Sequence, residues 1–261
     1  LPNEKVGPLE VLNPFNIGLM IVLIAGIGFI GYAAVRIVGP GRGMGLTGLV
    51  GGLVSSTAVT LSISRIARRE PDLVRPAAIA VLLASTIMFV RVLVEVAVVH
   101  RPLIPRLAVP LAAMTLSGAG VSLWLYLRSR RIAAPAEVAF SNPFELGSAL
   151  KFGLLFAVVL FVSKAANVYL GVGGTYAAGL LAGTTDVDAI TLSMANLAKG
   201  GGVGSNVAVT TIILGVGSNT LVKAGLAAAI GGWSFGRVAL AGFGAMLAAG
   251  ALGVACIWMA G

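Results

Sequence analysis

Six charged side chains interrupt otherwise apolar stretches of this sequence, and they are the first candidates for chemistry. They are Arg91, Glu95, Lys164, Asp186, Asp188 and Lys223. A charge at the centre of a bilayer costs about 2.5–3.5 kcal/mol on insertion scales, so such residues normally face a helix-bundle interior or a wet cavity. We therefore expect these positions to form an ion or substrate site, or to pair with one another.

Asp186 and Asp188 follow Thr184 and Thr185 in the most polar of these stretches. On a regular helix, residues two apart point about 200° away from each other, so both carboxylates face one site only where the helix unwinds. An unwound helix that lines a cavity presents carboxylate, hydroxyl and carbonyl oxygens, which suit a hard cation such as Mg²⁺, or a proton. We predict an ion or substrate site here, with Asp186 and Asp188 as metal ligands or proton carriers.

The alternative for the two aspartates is structural. One would cap a helix start, and the other would balance Lys223 or Lys164 in a buried pair, which alone is weak evidence of function. Asn219 and Lys223 lie four residues apart and hence on one helix face. We expect Lys223 to be the partner of the acids and Asn219 to orient or gate them.

Ser55, Ser56 and Thr57 form a second polar interruption, in which Ser55 aligns with Asp186 and Thr57 with Asp188. Two such breaks facing each other would make one central site with a charged wall and a neutral wall. Alternatively, the hydroxyls bond to their own helix or permit close packing through the small residues around them.

The remaining intramembrane charges have simpler interpretations. Arg91 and Glu95 are four residues apart, so we expect them to neutralise each other as a structural ion pair. Lys164 lies toward the end of its apolar run and is expected to reach the membrane interface.

The residues that enzymes use are scarce. His100 is the only histidine and Cys256 the only cysteine, so the chain has no zinc constellation, no Ser-His-Asp set and no Cys-His pair. It also lacks a phosphate-binding glycine loop with its Lys and Ser/Thr. We predict no enzyme, no catalytic residue and no cofactor other than a bound Mg²⁺ or similar cation, and we expect Cys256 to be a buried structural thiol.

The elements that carry these residues are apolar helices. Hydrophobic residues make up 58% of the sequence and charged residues 10%, with a mean hydropathy of +1.01, whereas soluble domains carry about a quarter charged residues. A span needs about 20 mainly apolar residues. This predicts an all-α integral membrane protein of about eight transmembrane helices, the second and sixth being broken or re-entrant, at about 17–38, 44–66, 77–99, 105–127, 148–170, 174–198, 205–231 and 236–260.

An internal repeat divides the chain. Asn13-Pro14-Phe15 recurs as Asn142-Pro143-Phe144, and with two more residues of shift the glycines and hydroxyls around 43–62 reappear around 174–193. We predict two homologous four-helix halves, 13–131 and 142–261, within one membrane domain, after a linker remnant at 1–12. Four spans per half would make the halves parallel, whereas three would invert them.

The net charge of +9 comes from basic residues between the apolar runs, so it indicates membrane orientation rather than nucleic-acid binding. Counted on eight spans, ten Lys and Arg lie on the side of the N-terminus and five on the other. The positive-inside rule then predicts a multi-pass protein of a bacterial or archaeal inner membrane with both termini cytoplasmic. The partners expected are the lipid bilayer and a second copy of the chain, with no nucleic acid.

Several separated motifs resemble the domain of unknown function 4010. They are Gly45–Thr60, Asn142–Gly153, Asp186–Thr191 and Ser218–Lys223. The resemblance implies that an MgtC/SapB-type transmembrane domain precedes this one in a longer chain, and it implies an association with magnesium or acid stress. It identifies no functional residue.

The sequence therefore predicts a secondary transporter or channel-like protein for a small cation, either Mg²⁺-linked or proton-coupled. The site would lie where the broken second and sixth helices meet the seventh. The alternative is a non-transporting regulatory or scaffold protein that acts through its glycine-rich helix faces.

Overall fold

A computed structural model describes residues 1–39, 43–128 and 146–260. The described residues form seven α-helices and no β-strand. The repeat motif at Asn142-Pro143-Phe144, the turn at Pro40–Arg42 and the basic residues Arg130 and Arg131 lie outside the described residues. The helices are α1 (Pro14–Val38), α2 (Met44–Arg69), α3 (Val74–Val99), α4 (Ile104–Leu127), α5 (Leu146–Thr185), α6 (Val187–Lys199) and α7 (Ser205–Ala260).

In the described part of the chain, all the α-helices except α6 are long and apolar enough to cross a membrane, which gives six candidate spans. Large apolar side chains stay exposed along them: Val22 on α1 is 69% exposed, Leu116 on α4 72% and Leu154 on α5 69%. Extended apolar surfaces of this kind are unfavourable in water and favourable in the hydrocarbon of a bilayer. The protein is therefore a multi-pass membrane protein.

The two longest helices, α5 and α7, are each bent at a glycine. Gly171 in α5 has φ 67° and Gly232 in α7 has φ 77°. A positive φ costs glycine little and other residues much more, so the bend is located there. Helix α5 thus contains the predicted run 148–170 and the first part of the run 174–198, which continues into α6, and α7 contains the predicted runs 205–231 and 236–260.

Both polar interruptions leave helical geometry. Ser55, inside α2, has φ −161° and ψ 105°. Asp186, between α5 and α6, has φ −153° and ψ 122°. One extended residue in each segment is therefore enough to redirect the helix that follows it.

The helices group into two compact units. Unit 1 comprises Leu1–Gly26, Val92–Ala108 and Pro143–Asn219, and unit 2 comprises Ile27–Arg91, Val109–Asn142 and Thr220–Gly261. The divisions between units fall within α1, α3, α4 and α7 as well as in the link between α4 and α5.

Within unit 2, α2 folds back on itself. Gly48 lies against the backbone of Ala80, and Gly52 against that of Ala84. Because both residue numbers rise together, residues 44–54 run parallel to α3. Arg69, at the other end of α2, is joined to the start of α3 by only a short 3₁₀ turn. Both ends of α2 therefore lie beside the same end of α3, and we call this helix hairpin 1.

Within unit 1, residues 172–185 of α5 and helix α6 have the same arrangement. Gly179 lies against Thr211, and Gly183 against the backbone of Gly215, so this part of α5 runs parallel to the start of α7. Ile190 of α6 also contacts Gly215, and α6 ends a few residues before α7 begins. Residues 172–199 therefore double back at Asp186, and we call them hairpin 2.

Two further contacts fix helix directions inside the units. In unit 2, Gly253 packs on Pro110 and Gly250 on Met114, so the last part of α7 runs antiparallel to α4. In unit 1, the Arg106 guanidinium donates a hydrogen bond to the Asn206 side-chain oxygen. The start of α4 thus lies beside the start of α7.

Candidate functional site

The tip of hairpin 2 is built by Asp186. Its carboxylate accepts hydrogen bonds from the backbone N–H groups of Asp188 (2.7 Å) and Ala189 (3.2 Å). Those N–H groups belong to the first turn of α6 and have no partner within their helix. The capping role considered for one aspartate is therefore confirmed, and Asp186 is the residue that performs it.

Asp188 differs in exposure from the two threonines of this segment. Its side chain is only 5% exposed, whereas Thr184 and Thr185 are exposed and Thr184 bonds back to the Leu181 carbonyl at 2.6 Å. The hairpin thus turns one carboxylate inward and both threonine hydroxyls outward. Of the four polar residues predicted here, Asp188 is the one whose charge lies inside the protein.

The break leaves backbone acceptors at the end of α5, and α7 supplies donors for them. Asn219 donates its side-chain N–H to the carbonyl of Gly183 at 3.0 Å, and the Ser218 hydroxyl donates to that of Leu180 at 2.7 Å. The usual donor to Gly183 would be the N–H of Val187, which lies beyond the extended residue. Asn219 therefore stabilises the open end of the helix. Its predicted role of orienting or gating the acids stays a prediction. Ser218 was not among the predicted site residues.

The tip of hairpin 1, in unit 2, repeats the cap with a hydroxyl. Ser55 Oγ accepts the backbone N–H of Ala58 at 3.2 Å. Ser56 is buried and Thr57 half-buried. A serine thus does in hairpin 1 what Asp186 does in hairpin 2, without a charge.

Arg91 closes the open helix end of hairpin 1. Its guanidinium donates to the carbonyl of Leu53 at 3.0 Å, with that of Val54 at 3.5 Å. The predicted ion pair of Arg91 with Glu95, which is fully buried on the same helix, stays a prediction. Arg91 is nonetheless part of the broken-helix site, which the helical spacing of the pair did not indicate.

Lys223 is fully buried in unit 2, with 0% exposure. Its ammonium donates to the Ser56 hydroxyl at 2.9 Å and lies 2.8 Å from the Met88 sulfur. A buried ammonium requires such acceptors, because desolvating it without them is very costly. Its predicted pairing with the acids stays a prediction, and Met88 is a contact that sequence reasoning missed.

The remaining predictions concern Lys164, Cys256 and a metal site. Lys164 donates to the Gly202 carbonyl at 3.4 Å and is part-buried. Cys256 is exposed, so the expectation of a buried thiol was wrong: its position near the end of an apolar helix faces outward. In residues 1–39, 43–128 and 146–260, no three or more His, Cys, Asp or Glu residues come together as a metal group, and a metal held by Asp186 and Asp188 stays a prediction.

Comparison with known proteins agrees with the sequence motifs. The model of the domain of unknown function 4010 (DUF4010) matches residues 22–231. A protein of Aquifex aeolicus (strain VF5), described as uncharacterized, is 34% identical over 190 residues, which cover 71% of this chain and 81% of that relative. No solved structure matches the chain. The predicted resemblance is confirmed, and the chain belongs to the DUF4010 family.

Proposed function

We propose that this protein is a secondary transporter and that the broken helix of each hairpin provides polar groups for ion transport. The observation that carries the proposal is that each hairpin doubles back at a capped, polar backbone break. Irregular backbone at membrane depth is tolerated only where it is buried in protein or lines a water-filled cavity. Transporters commonly place substrate and ion sites at such interrupted helices.

The same hairpins lead us to propose six membrane crossings in place of the eight predicted from hydropathy. The first arm of hairpin 1, residues 44–54, is roughly 16 Å long, about half of the hydrocarbon thickness. Both ends of hairpin 1 lie beside the start of α3, so the hairpin enters and leaves the membrane on the same side and does not cross it. The proposed crossings are α1, α3, α4, residues 146–170 of α5, and residues 205–231 and 233–260 of α7.

Helix directions within the units support this count. With eight crossings, the fourth and the eighth would run in the same direction. Their counterparts, α4 and the last part of α7, pack antiparallel through Gly253 and Pro110. Six crossings make them the third and the sixth, which run in opposite directions.

We also retain the internal repeat as a proposal. With the same shift of 131 residues, the cap at Ser55 corresponds to the cap at Asp186. The helix contacts correspond as well: Gly48 with Ala80 to Gly179 with Thr211, and Gly52 with Ala84 to Gly183 with Gly215. Three crossings per half, an odd number, would insert the two sequence halves in opposite directions, which is the arrangement of many alternating-access transporters.

A topology of six crossings reverses the membrane orientation that was predicted from eight spans. Counted on this topology, four basic residues fall on the side of the N-terminus and eleven on the opposite side, a stronger asymmetry than eight crossings give. The positive-inside rule then puts both ends of the chain outside the cytoplasm. The four are Lys5, Arg101, Arg106 and Lys199, and the eleven are Arg36, Arg42, Arg65, Arg68, Arg69, Arg75, Arg128, Arg130, Arg131, Lys151 and Arg237.

Cysteine labelling tests this topology. In a Cys256→Ser background, which has no other cysteine, we expect Lys5→Cys to react with a membrane-impermeant maleimide on intact spheroplasts. Arg68→Cys should react only after permeabilisation, because hairpin 1 places it on the other side. Eight crossings put both positions on one side, so identical labelling of the two variants would overturn the six-crossing proposal.

The transported species that this chemistry favours is a small cation, Mg²⁺-linked or proton-coupled, because a buried carboxylate stands at the tip of hairpin 2. Purified protein in liposomes should give Mg²⁺ or proton flux several-fold above empty liposomes, followed with entrapped Mg²⁺- and pH-sensitive dyes. Flux of neither ion under a membrane potential or an ion gradient would overturn transport of a cation and favour the regulatory alternative.

A further inference from the structure

A groove in unit 1 plays no part in the hairpin tips. It has a volume of about 610 Å³ and is formed by the start of α1 with the segment before it, the last turn of α3 and the last turn of α6. Its polar lining consists of Lys5, Asn16, Asn196 and Lys199. Among the described residues that line it, none is acidic.

The groove changes in character along α1. Lys5 lies in the segment before α1, and Lys199 is the last residue of α6. Leu19 and Val22 line the same groove about one and two turns after Asn16 on α1, and they are 47% and 69% exposed. The two lysines and the two asparagines thus line the polar part of the groove, and Leu19 and Val22 line its apolar part. Such a pairing matches a ligand with an anionic head and an apolar tail.

We propose that this groove binds an anionic phospholipid. The ammonium groups of Lys5 and Lys199 would hold the phosphate, with the amides of Asn16 and Asn196 as further donors, and an acyl chain would lie along Leu19 and Val22. Basic pockets between transmembrane helices are a common solution for anionic head groups, each lysine giving an affinity gain of roughly fivefold. The proposal does not depend on transport, because none of these residues belongs to the hairpin tips.

The test measures lipid binding to the whole chain in detergent by native mass spectrometry. Phosphatidylglycerol should bind the wild type roughly 25-fold more tightly than phosphatidylcholine. Lys5→Gln and Lys199→Gln should each reduce this preference about fivefold, and the double variant should abolish it. Lys151→Gln, an exposed lysine on α5 outside the groove, is the matched control and should behave as the wild type.

Two more measurements separate lipid from phosphate. Val22→Ser should weaken phosphatidylglycerol binding several-fold while leaving the melting temperature without lipid unchanged, since Val22 is exposed. Inorganic phosphate alone should not shift the melting temperature. Equal stabilisation by inorganic phosphate would identify a phosphate site instead of a lipid site. An unchanged preference in the double variant would overturn the groove as the binding site.

Discussion

Gly183→Ala should destabilise the protein strongly, because the tip of hairpin 2 has no room for a methyl group. A Cβ at this position would stand 2.6 Å from the Cα of Gly215 and in contact with its carbonyl oxygen. The obstacle is backbone, so relief requires the first arm of the hairpin and α7 to move apart. Overpacking of this kind costs about 1–3 kcal/mol or more. Separation would also lengthen the hydrogen bond from Asn219 to the Gly183 carbonyl.

The measurement is the melting temperature in detergent, together with the monodispersed fraction on size exclusion. Gly225→Ala is the matched control, since Gly225 also lies in α7 and a Cβ there would meet nothing within 4 Å. It should be neutral or slightly stabilising, because alanine favours helix over glycine. If Gly183→Ala were as stable as Gly225→Ala, the close packing of hairpin 2 on α7 would be contradicted.

The same substitution in hairpin 1 extends the test. A Cβ on Gly52 would stand 2.7 Å from the Cα of Ala84, so Gly52→Ala should destabilise to a similar degree. Small residues four apart allow two transmembrane helices to approach closely, and here they seat the first arm of each hairpin. A large effect at one position and none at the other would contradict the proposed equivalence of the two hairpins.

The sequence predicted the helices and both backbone breaks, and it left open whether the second and sixth apolar runs are broken or re-entrant. Composition alone indicated membrane helices, and the polar residues at 55–57 and 184–188 located both backbone breaks. Hydropathy measures length and apolarity but not direction, so it does not distinguish a crossing from a re-entrant segment at residues 44–66. The direction depends on where Gly48 and Gly52 pack, and that contact involves residues about 32 positions away on α3.

Sequence spacing did not indicate the contacts that long side chains make beyond their own helix. The spacing of Arg91 and Glu95 indicated a local pair, yet the guanidinium also reaches the carbonyl of Leu53 on hairpin 1. Lys223 contacts the sulfur of Met88. Sequence patterns count methionine as an apolar residue, so they do not indicate that it can accept a contact from an ammonium group. The capping alternative was correct for Asp186, because an acid before a helical run is a common helix start.

Neutralising the two aspartates of hairpin 2 should therefore give different results. Asp188→Asn keeps the size of a side chain that is 5% exposed and removes its charge. If this carboxylate contacts the transported cation, the loss of a charged contact worth about 1.5–3 kcal/mol should reduce flux roughly 10- to 100-fold. Asp186→Asn should retain most of the flux, because asparagine caps a helix as well as aspartate does. Flux is measured in liposomes at equal protein content.

Asp186→Ala separates the cap from the charge. It removes the acceptor of the Asp188 and Ala189 N–H groups and should cost about 0.5–2 kcal/mol of stability, whereas Asp186→Ser, which copies Ser55 of hairpin 1, should restore much of it. Were Asp186→Asn to abolish flux while keeping the wild-type melting temperature, the charge of Asp186 would act on the ion directly. Unchanged flux in Asp188→Asn would remove the buried carboxylate from the mechanism. The asymmetry between Ser55 and Asp186 would then concern helix capping alone.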